Sequence, residues 1–141
     1  NNLVGTIPTE ITNLTALEVL DLSGNQLTGK IPEALGNMTT LYNLSLNDNQ
    51  LQGTIPASVG SLVNLQNLDL YNNNFLGELP ATLGSLSELR QFEIHNNGFI
   101  GFVPANIGTL TNLQVLRLDH NDFEGPLPEG LGGMASLQVL Y

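Results

Sequence analysis

Apolar residues fall on a grid that repeats every 24 positions. In the first full period they are Ile7, Ile11, Leu14, Leu17, Leu20, Leu22 and Leu27, and in the next Ile31, Leu35, Met38, Leu41, Leu44, Leu46 and Leu51. Then come Ile55, Val59, Leu62, Leu65, Leu68, Leu70 and Phe75; Leu79, Leu83, Leu86, Leu89, Phe92, Ile94 and Phe99; and Val103, Ile107, Leu110, Leu113, Leu116, Leu118 and Phe123. The spacing of two at Leu20 and Leu22 predicts a short strand. The spacing of three at Ile11, Leu14 and Leu17 predicts a 3₁₀ or irregular helical turn, in which residues three apart share a face. One period is therefore a strand, a turn, a second extended piece and a helical turn back. Proline at 8, 32, 56, 80, 104 and 128 and glycine at 5, 29, 53, 77, 101 and 125 keep the same period. A fixed repeat of this length predicts a stacked solenoid. No single coil can bury its apolar side, so neighbouring coils must, and each buried Leu contributes roughly 1.5–3 kcal/mol. The strands then become parallel neighbours about 4.8 Å apart.

Two polar columns punctuate the grid. Asn25, Asn49, Asn73, Asn97 and Asn121 share one position. An inward Asn there is expected to bond the backbone of its own turn and of the next coil, satisfying groups left unpaired where the strand ends. The Gly-x-aliphatic-Pro piece, as in Gly29-Lys30-Ile31-Pro32, combines a residue that allows a tight bend with one that holds an extended segment. These pieces are expected to pair into a second, shorter sheet. Pro126 stands in the column of Thr6, Lys30, Thr54, Glu78 and Phe102 and is expected to weaken that sheet in the last coil.

The repeated stretch LEVLDLSGNQLTGKIP at 17–32, with its copies at 41–56, 65–80, 89–104 and 113–128, carries a family resemblance. Its pattern, L-x-x-L-x-L-x-x-N-x-L/F-x-G-x-I/L/V-P-x-x-L/I-x-x-L, resembles the plant-specific class of leucine-rich repeats over the whole chain. The resemblance implies an α/β solenoid, a right-handed superhelix with 24-residue repeats, a parallel β-sheet on the concave face and short 3₁₀ or irregular convex turns. It also implies ligand or co-receptor binding, the role of plant receptor kinase ectodomains, receptor-like proteins and polygalacturonase inhibitors. Paired-cysteine capping segments and a ligand-holding insertion, both found in some of those ectodomains, are not in these residues. Residues 1–141 read as one array of about five full repeats with truncated repeats at both ends, expected to be part of a longer solenoid, since neither end carries a polar cap.

Residues between the inward leucines of each strand face out. One outward column is Val19, Asn43, Asn67, Gln91, Val115 and Val139. The next is Asp21, Ser45, Asp69, Glu93, Arg117 and Tyr141, and the third is Ser23, Asn47, Tyr71, His95 and Asp119. Gly24, Asp48, Asn72, Asn96 and His120 flank them. The richest patch is Tyr71, His95, Asp119, Glu93, Arg117 and His120, where an aromatic beside charges of both signs suits protein or peptide recognition. Its bland counterpart is a set of solvated strand residues. Asp69 and Glu93 are lateral neighbours whose carboxylates could approach to about 5 Å, as in a glycosidase pair. Arg117 beside Glu93 favours a plain salt bridge instead, and an open sheet is expected to lack the desolvation that shifts a pKa. His95, His120 and Asp119 make a weak metal set. No catalytic residue, cofactor or resident metal is expected.

Charge and composition narrow the partners. Three basic against 13 acidic residues give a net charge of −10, which disfavours nucleic acid and anionic membrane. No cysteine is present, so disulfides and thiol chemistry are excluded within these residues. No run approaches the 18 apolar residues of a membrane span, and no signal-peptide pattern is read. Sequons stand at Asn13, Asn37 and Asn43. Asn13 and Asn37 share a convex grid position where a glycan does no harm, whereas Asn43 faces the concave side and is expected to be bare. The expectation is therefore a non-enzymatic, extracellular or cell-surface recognition module that binds a protein or peptide on its concave face, with a co-receptor or larger complex as further partner. The alternatives are a structural subunit of an intracellular or organellar complex and an ice-binding surface built on Asn/Thr arrays.

Overall fold

The computed structural model describes residues 1–141 and consists of coils stacked along one axis. Each coil contributes one strand to a six-stranded parallel sheet: Val19–Asp21, Asn43–Ser45, Asn67–Asp69, Gln91–Glu93, Val115–Arg117 and Val139–Leu140, in that spatial order. Register follows the repeat, pairing Leu20 with Leu44, Leu44 with Leu68 and Leu68 with Phe92. The opposite side of each coil is a 3₁₀ turn: Thr9–Asn13, Glu33–Asn37, Ala57–Ser61, Ala81–Ser85, Ala105–Thr109 and Glu129–Gly133. A proline precedes every one, with φ between −60° and −70° and ψ between 131° and 142°. The ring holds φ near the value the next turn needs, and its carbonyl accepts the first i+3 bond, as from Ile11 N–H to Pro8.

A second sheet lies beside the first, in two pieces. Val4–Thr6 pairs with Gln26–Thr28, and Gln52–Gly53, Asn74–Gly77, Gly98–Gly101 and Asp122–Phe123 form a four-stranded set. Apart from Thr6 in the first coil, its strands reach no further than the repeated glycine, so the paired segment is mainly the glycine and the residues upstream of it, not the Gly-x-aliphatic-Pro piece. The reason is geometric. The glycine adopts a left-handed φ, 80° at Gly77, and turns the chain away from the ladder. Lys30, Thr54, Glu78 and Phe102 consequently donate no backbone bond in any coil. Pro126, in the same column, therefore removes nothing. The register also differs: Leu76 faces Gly98 and Ile100 faces Asp122, an offset of 22 instead of 24. The second sheet slips two residues per coil relative to the first, which the uniform repeat conceals.

The grid residues form one continuous core of 31 buried side chains. Phe75, Phe92, Phe99 and the central leucines are fully buried. Leu14 departs from the grid expectation and is 52 % exposed, whereas its counterparts Met38 and Leu62 are 0 % exposed. Its coil has a neighbour on one side only within these residues.

The Asn column is buried or half-buried and bonded as a ladder. Asn49 Nδ2 donates to the carbonyls of Leu46 and Asn47 in its own turn and of Leu22 in the preceding coil, while its Oδ1 accepts from Leu27 N–H. The same set recurs at Asn73, Asn97 and Asn121, and Asn25 bonds Leu3 N–H and its own turn. The cross-coil partner is thus the preceding coil, not the next one.

Two further polar ladders run down the helical-turn side. Ser58, Thr82 and Asn106 each donate to the carbonyl 25 residues earlier, at Glu33, Ala57 and Ala81. Thr40, Asn64 and Asn112 donate likewise to Thr15, Thr39 and Ser87. These side chains staple coils and are not free for an ordered array facing outward. Glu88 interrupts the second ladder with a side chain that has no donor when ionised. Glu88→Asn is expected to add the missing bond to the Val63 carbonyl and raise stability by about 1 kcal/mol, read as a higher midpoint in urea unfolding with an unchanged slope.

Candidate functional site

The six predicted surface residues form one connected patch on the six-stranded sheet. Tyr71 follows the strand Asn67–Asp69, Glu93 ends Gln91–Glu93, and Arg117 ends Val115–Arg117, so a flat ladder sets them one strand apart. Tyr71 and His95 stack face to face, with ring centroids 4.5 Å apart and planes within 9°. His95 Nδ1 lies 3.7 Å from Glu93 Oε2. Arg117 reaches between two acids, 3.3 Å from Asp119 Oδ2 and 3.8 Å from Glu93 Oε2. His120 Nδ1 closes the row 2.8 Å from Asp119 Oδ2.

The patch is less open than solvated strand residues would be. His95 is only 7 % exposed, and Ser45 and Asn47, two coils earlier on the same face, are buried as well. Lateral neighbours 24 residues apart cover one another, which strand alternation alone does not reveal. Burial, with the Arg117 charge, lowers the His95 pKa and favours the neutral ring. Burial, then the charges of Asp48, Asp69 and Glu93, raises the Tyr71 hydroxyl. At Asp119 burial pushes the carboxyl up, and the bonds and charge of His120 and Arg117 outweigh it, leaving the group below the usual range.

Several participants escape a reading by residue type. Gln91 Nε2 bridges the acid pair, 3.2 Å from Asp69 Oδ1 and 2.8 Å from Glu93 Oε1. Tyr141 lies under the Arg117 guanidinium at 5.2 Å. Asp48, Asn72, Asn96 and His120 all turn left-handed, with φ between 53° and 56°, where Asp and Asn are tolerated better than most residues. Asn72 Nδ2 bonds Asp48 Oδ1 at 2.6 Å and Asn96 Nδ2 bonds Asn72 Oδ1 at 2.7 Å, forming a second amide ladder along the strand ends. The repeated Gly/Asp/Asn at this position was the available signal.

The Asp69–Glu93 pair corrects the expectation that an open sheet shifts no pKa. Burial first, and the Glu93 charge second, push the Asp69 carboxyl up to about 6, against the lowering bonds from Gln91 and Ser45. The folded protein therefore holds this proton more tightly than the unfolded chain does. The resulting stability is fully present below about pH 4 and is lost as pH rises through about 6. Asp69→Asn is expected to stabilise the protein by about 1 kcal/mol at pH 7.5, after allowing for solvent screening, and to change nothing at pH 4. Calorimetric unfolding at the two pH values checks this, and equal gains at both would sink it.

Asn13 and Asn37 are exposed and end their 3₁₀ turns, opposite the patch. Asn43 is half-buried in its strand, and its Oδ1 accepts from Ser45 Oγ. No three side chains of His, Cys, Asp or Glu lie close enough to hold a metal ion, so His95, His120 and Asp119 do not converge as a ligand set. No helix is long and apolar enough to cross a membrane.

Comparison with known proteins bears on this geometry. The family described as leucine-rich repeat region matches residues 1–97, and leucine rich repeat matches residues 112–134. No curated protein matches the chain. Among solved structures, the ectodomain of the Arabidopsis thaliana membrane receptor kinase GASSHO1/SCHENGEN3, in complex with CASPARIAN STRIP INTEGRITY FACTOR 2, is 41 % identical with a TM-score of 0.98. The match covers 99 % of this chain and 17 % of that one. The Arabidopsis receptor kinase HAESA, in complex with the peptide hormone IDA and the co-receptor SERK1, is 38 % identical with a TM-score of 0.90, over 97 % of this chain and 23 % of that one. The plant peptide hormone receptor RGFR1, in complex with RGF2, is 36 % identical with a TM-score of 0.96, over 97 % and 22 %. The chain thus spans about a fifth of the length of these ectodomains.

Proposed function

The chain belongs to the leucine-rich repeat family, and from that premise we propose that it is a non-enzymatic recognition module of the plant receptor type, binding a protein or peptide on the face of its six-stranded sheet. The observation that carries this reading is the stacked Tyr71–His95 pair, set in a row of charges running from Asp69 to His120. Fixed aromatic surface beside charged groups gives both contact area and orientation at little entropic cost. The polar side chains of the helical turns are largely spent on neighbouring coils, which leaves the sheet face as the richer surface. Similarity to receptor ectodomains in complex with peptides and a co-receptor supports a peptide ligand and an extracellular setting. In that setting Asn13 and Asn37 are the glycan acceptors and Asn43 is bare.

A random-peptide display library panned against the chain tests the face. Peptides enriched on the native protein are expected to bind Tyr71→Ala with His95→Ala at least tenfold more weakly, about 1.4 kcal/mol or more. Tyr71→Ala alone, which leaves the buried His95 in place, guards against a merely unfolded double variant. Undiminished binding to both would remove the patch from the interface.

A further inference from the structure

The Asp69–Glu93 pair on the sheet face is bonded on one side and loosely contacted on the other. Gln91 occupies one oxygen of each carboxylate, Asp69 Oδ1 and Glu93 Oε1. The other oxygens have only long contacts. Asp69 Oδ2 is 3.5 Å from Ser45 Oγ, whose shorter bond goes to Asn43 at 2.9 Å. Glu93 Oε2 is 3.7 Å from His95 Nδ1 and 3.8 Å from Arg117 Nη1, both beyond a hydrogen bond. Arg117 sits nearer Asp119, at 3.3 Å, and over Tyr141, so its charge is drawn away from the pair.

A second observation points the same way. The His95 side chain is only 8 % exposed, and its Nδ1 faces Glu93 with no hydrogen-bond partner. Buried polar atoms are normally satisfied, and an orphan beside a site marks a missing partner. In the neutral tautomer protonated at Nε2, His95 Nδ1 is an acceptor, and it joins Glu93 Oε2 and Asp69 Oδ2, whose one donor is the long contact from Ser45, as acceptors open to a further donor. Burial and the Glu93 charge hold Asp69 near 6, as expected of a carboxylate pair that lacks a close counter-cation.

We infer that Asp69, Glu93 and His95 form a subsite for the guanidinium of an arginine side chain carried by the ligand. Guanidinium is planar, permanently charged and has five donors in a fixed fork, so one group can serve two carboxylates and a ring nitrogen together. Its charge also adds a cation beside Asp69, which Arg117 does not reach, and a flat cation suits a place beside the Tyr71–His95 stack. This subsite rests on the reading of the sheet face as the binding face and adds the chemistry of one anchor residue.

The test uses the whole chain and a single-residue probe. N-acetyl-arginine methylamide is titrated at pH 7.5 while the side-chain carboxyl carbons of Asp69 and Glu93 and the ring nitrogens of His95 are followed by NMR. N-acetyl-citrulline methylamide, the same shape without charge, is the control. Saturable shifts at all three residues in the millimolar range, at least tenfold weaker in Asp69→Asn and absent with citrulline, are expected. Asp69→Asn keeps the size of the side chain and an acceptor for Gln91, and Glu93→Gln repeats the measurement on the other member. Equal or non-saturating shifts with both probes overturn the subsite, as does a saturable arginine response unchanged in both variants. Either failure leaves the peptide-binding face standing if library peptides still depend on Tyr71, so the two readings fall separately.

Discussion

Phe99→Ala is expected to lower stability by about 3–5 kcal/mol, the upper range for emptying a buried aromatic site. Phe99 is fully buried in the column that runs Leu27, Leu51, Phe75, Phe99 and Phe123. Its ring stacks on Phe75 at 6.0 Å and on Phe123 at 6.3 Å, so one truncation opens two interfaces between coils. In a solenoid each coil is held almost entirely by its neighbours, and stability is roughly a sum of coil and interface contributions. Removing a central stack should therefore uncouple the fourth and fifth coils as well as weaken the whole. Phe99→Leu, which matches the residue at positions 27 and 51, should restore more than half of the loss. Denaturant unfolding reads both variants. A loss below about 1 kcal/mol for Phe99→Ala would mean that the stacks do not couple the coils.

Asn49→Ala is expected to cost about 3 kcal/mol, more than a single hydrogen bond, because four partners lose their bond together. The Leu27 N–H would be left buried without an acceptor, and the carbonyls of Leu22, Leu46 and Asn47 would each lose a donor. Asn49→Asp separates geometry from charge. A carboxylate retains an acceptor for Leu27 but faces carbonyl oxygens with no hydrogen to share, so its penalty should shrink as pH falls and the group takes up a proton. Hydrogen exchange at Leu27 is the local readout. Protection unchanged in Asn49→Ala would show that another group takes over the bond.

The chemistry of the face was partly legible in the residues. Strand alternation placed Tyr71, Glu93, His95, Arg117 and Asp119 on the outward side, and the structure brings all of them into one network with His120. The spacing could not tell that His95 is nearly buried, because its cover comes from a ring 24 residues away that happens to lie flat on it. Nor could it tell that Gln91 joins Asp69 to Glu93, since the amide crosses from one outward column to the next. Those are side-chain conformations, and no periodicity encodes them.

Other differences trace to backbone geometry. The expected second sheet exists, yet beyond the first coil its paired residues go no further than the glycine, because the left-handed turn at that glycine ends the ladder. The expected effect of Pro126 disappears for the same reason.

The amino-acid sequence by itself determined the solenoid, its 24-residue coil, the apolar core and the polar Asn ladder, because stacking identical short units leaves one arrangement that buries every grid leucine. The tertiary structure alone decided which side chains meet across coils. It set the two-residue slip of the second sheet, the direction of the Asn bonds toward the preceding coil and the desolvation that raises Asp69. A repeat states what each coil is, but how far neighbouring coils shift and twist against one another depends on the packed whole, and that displacement decides which polar groups are paired and which are left facing outward unmet.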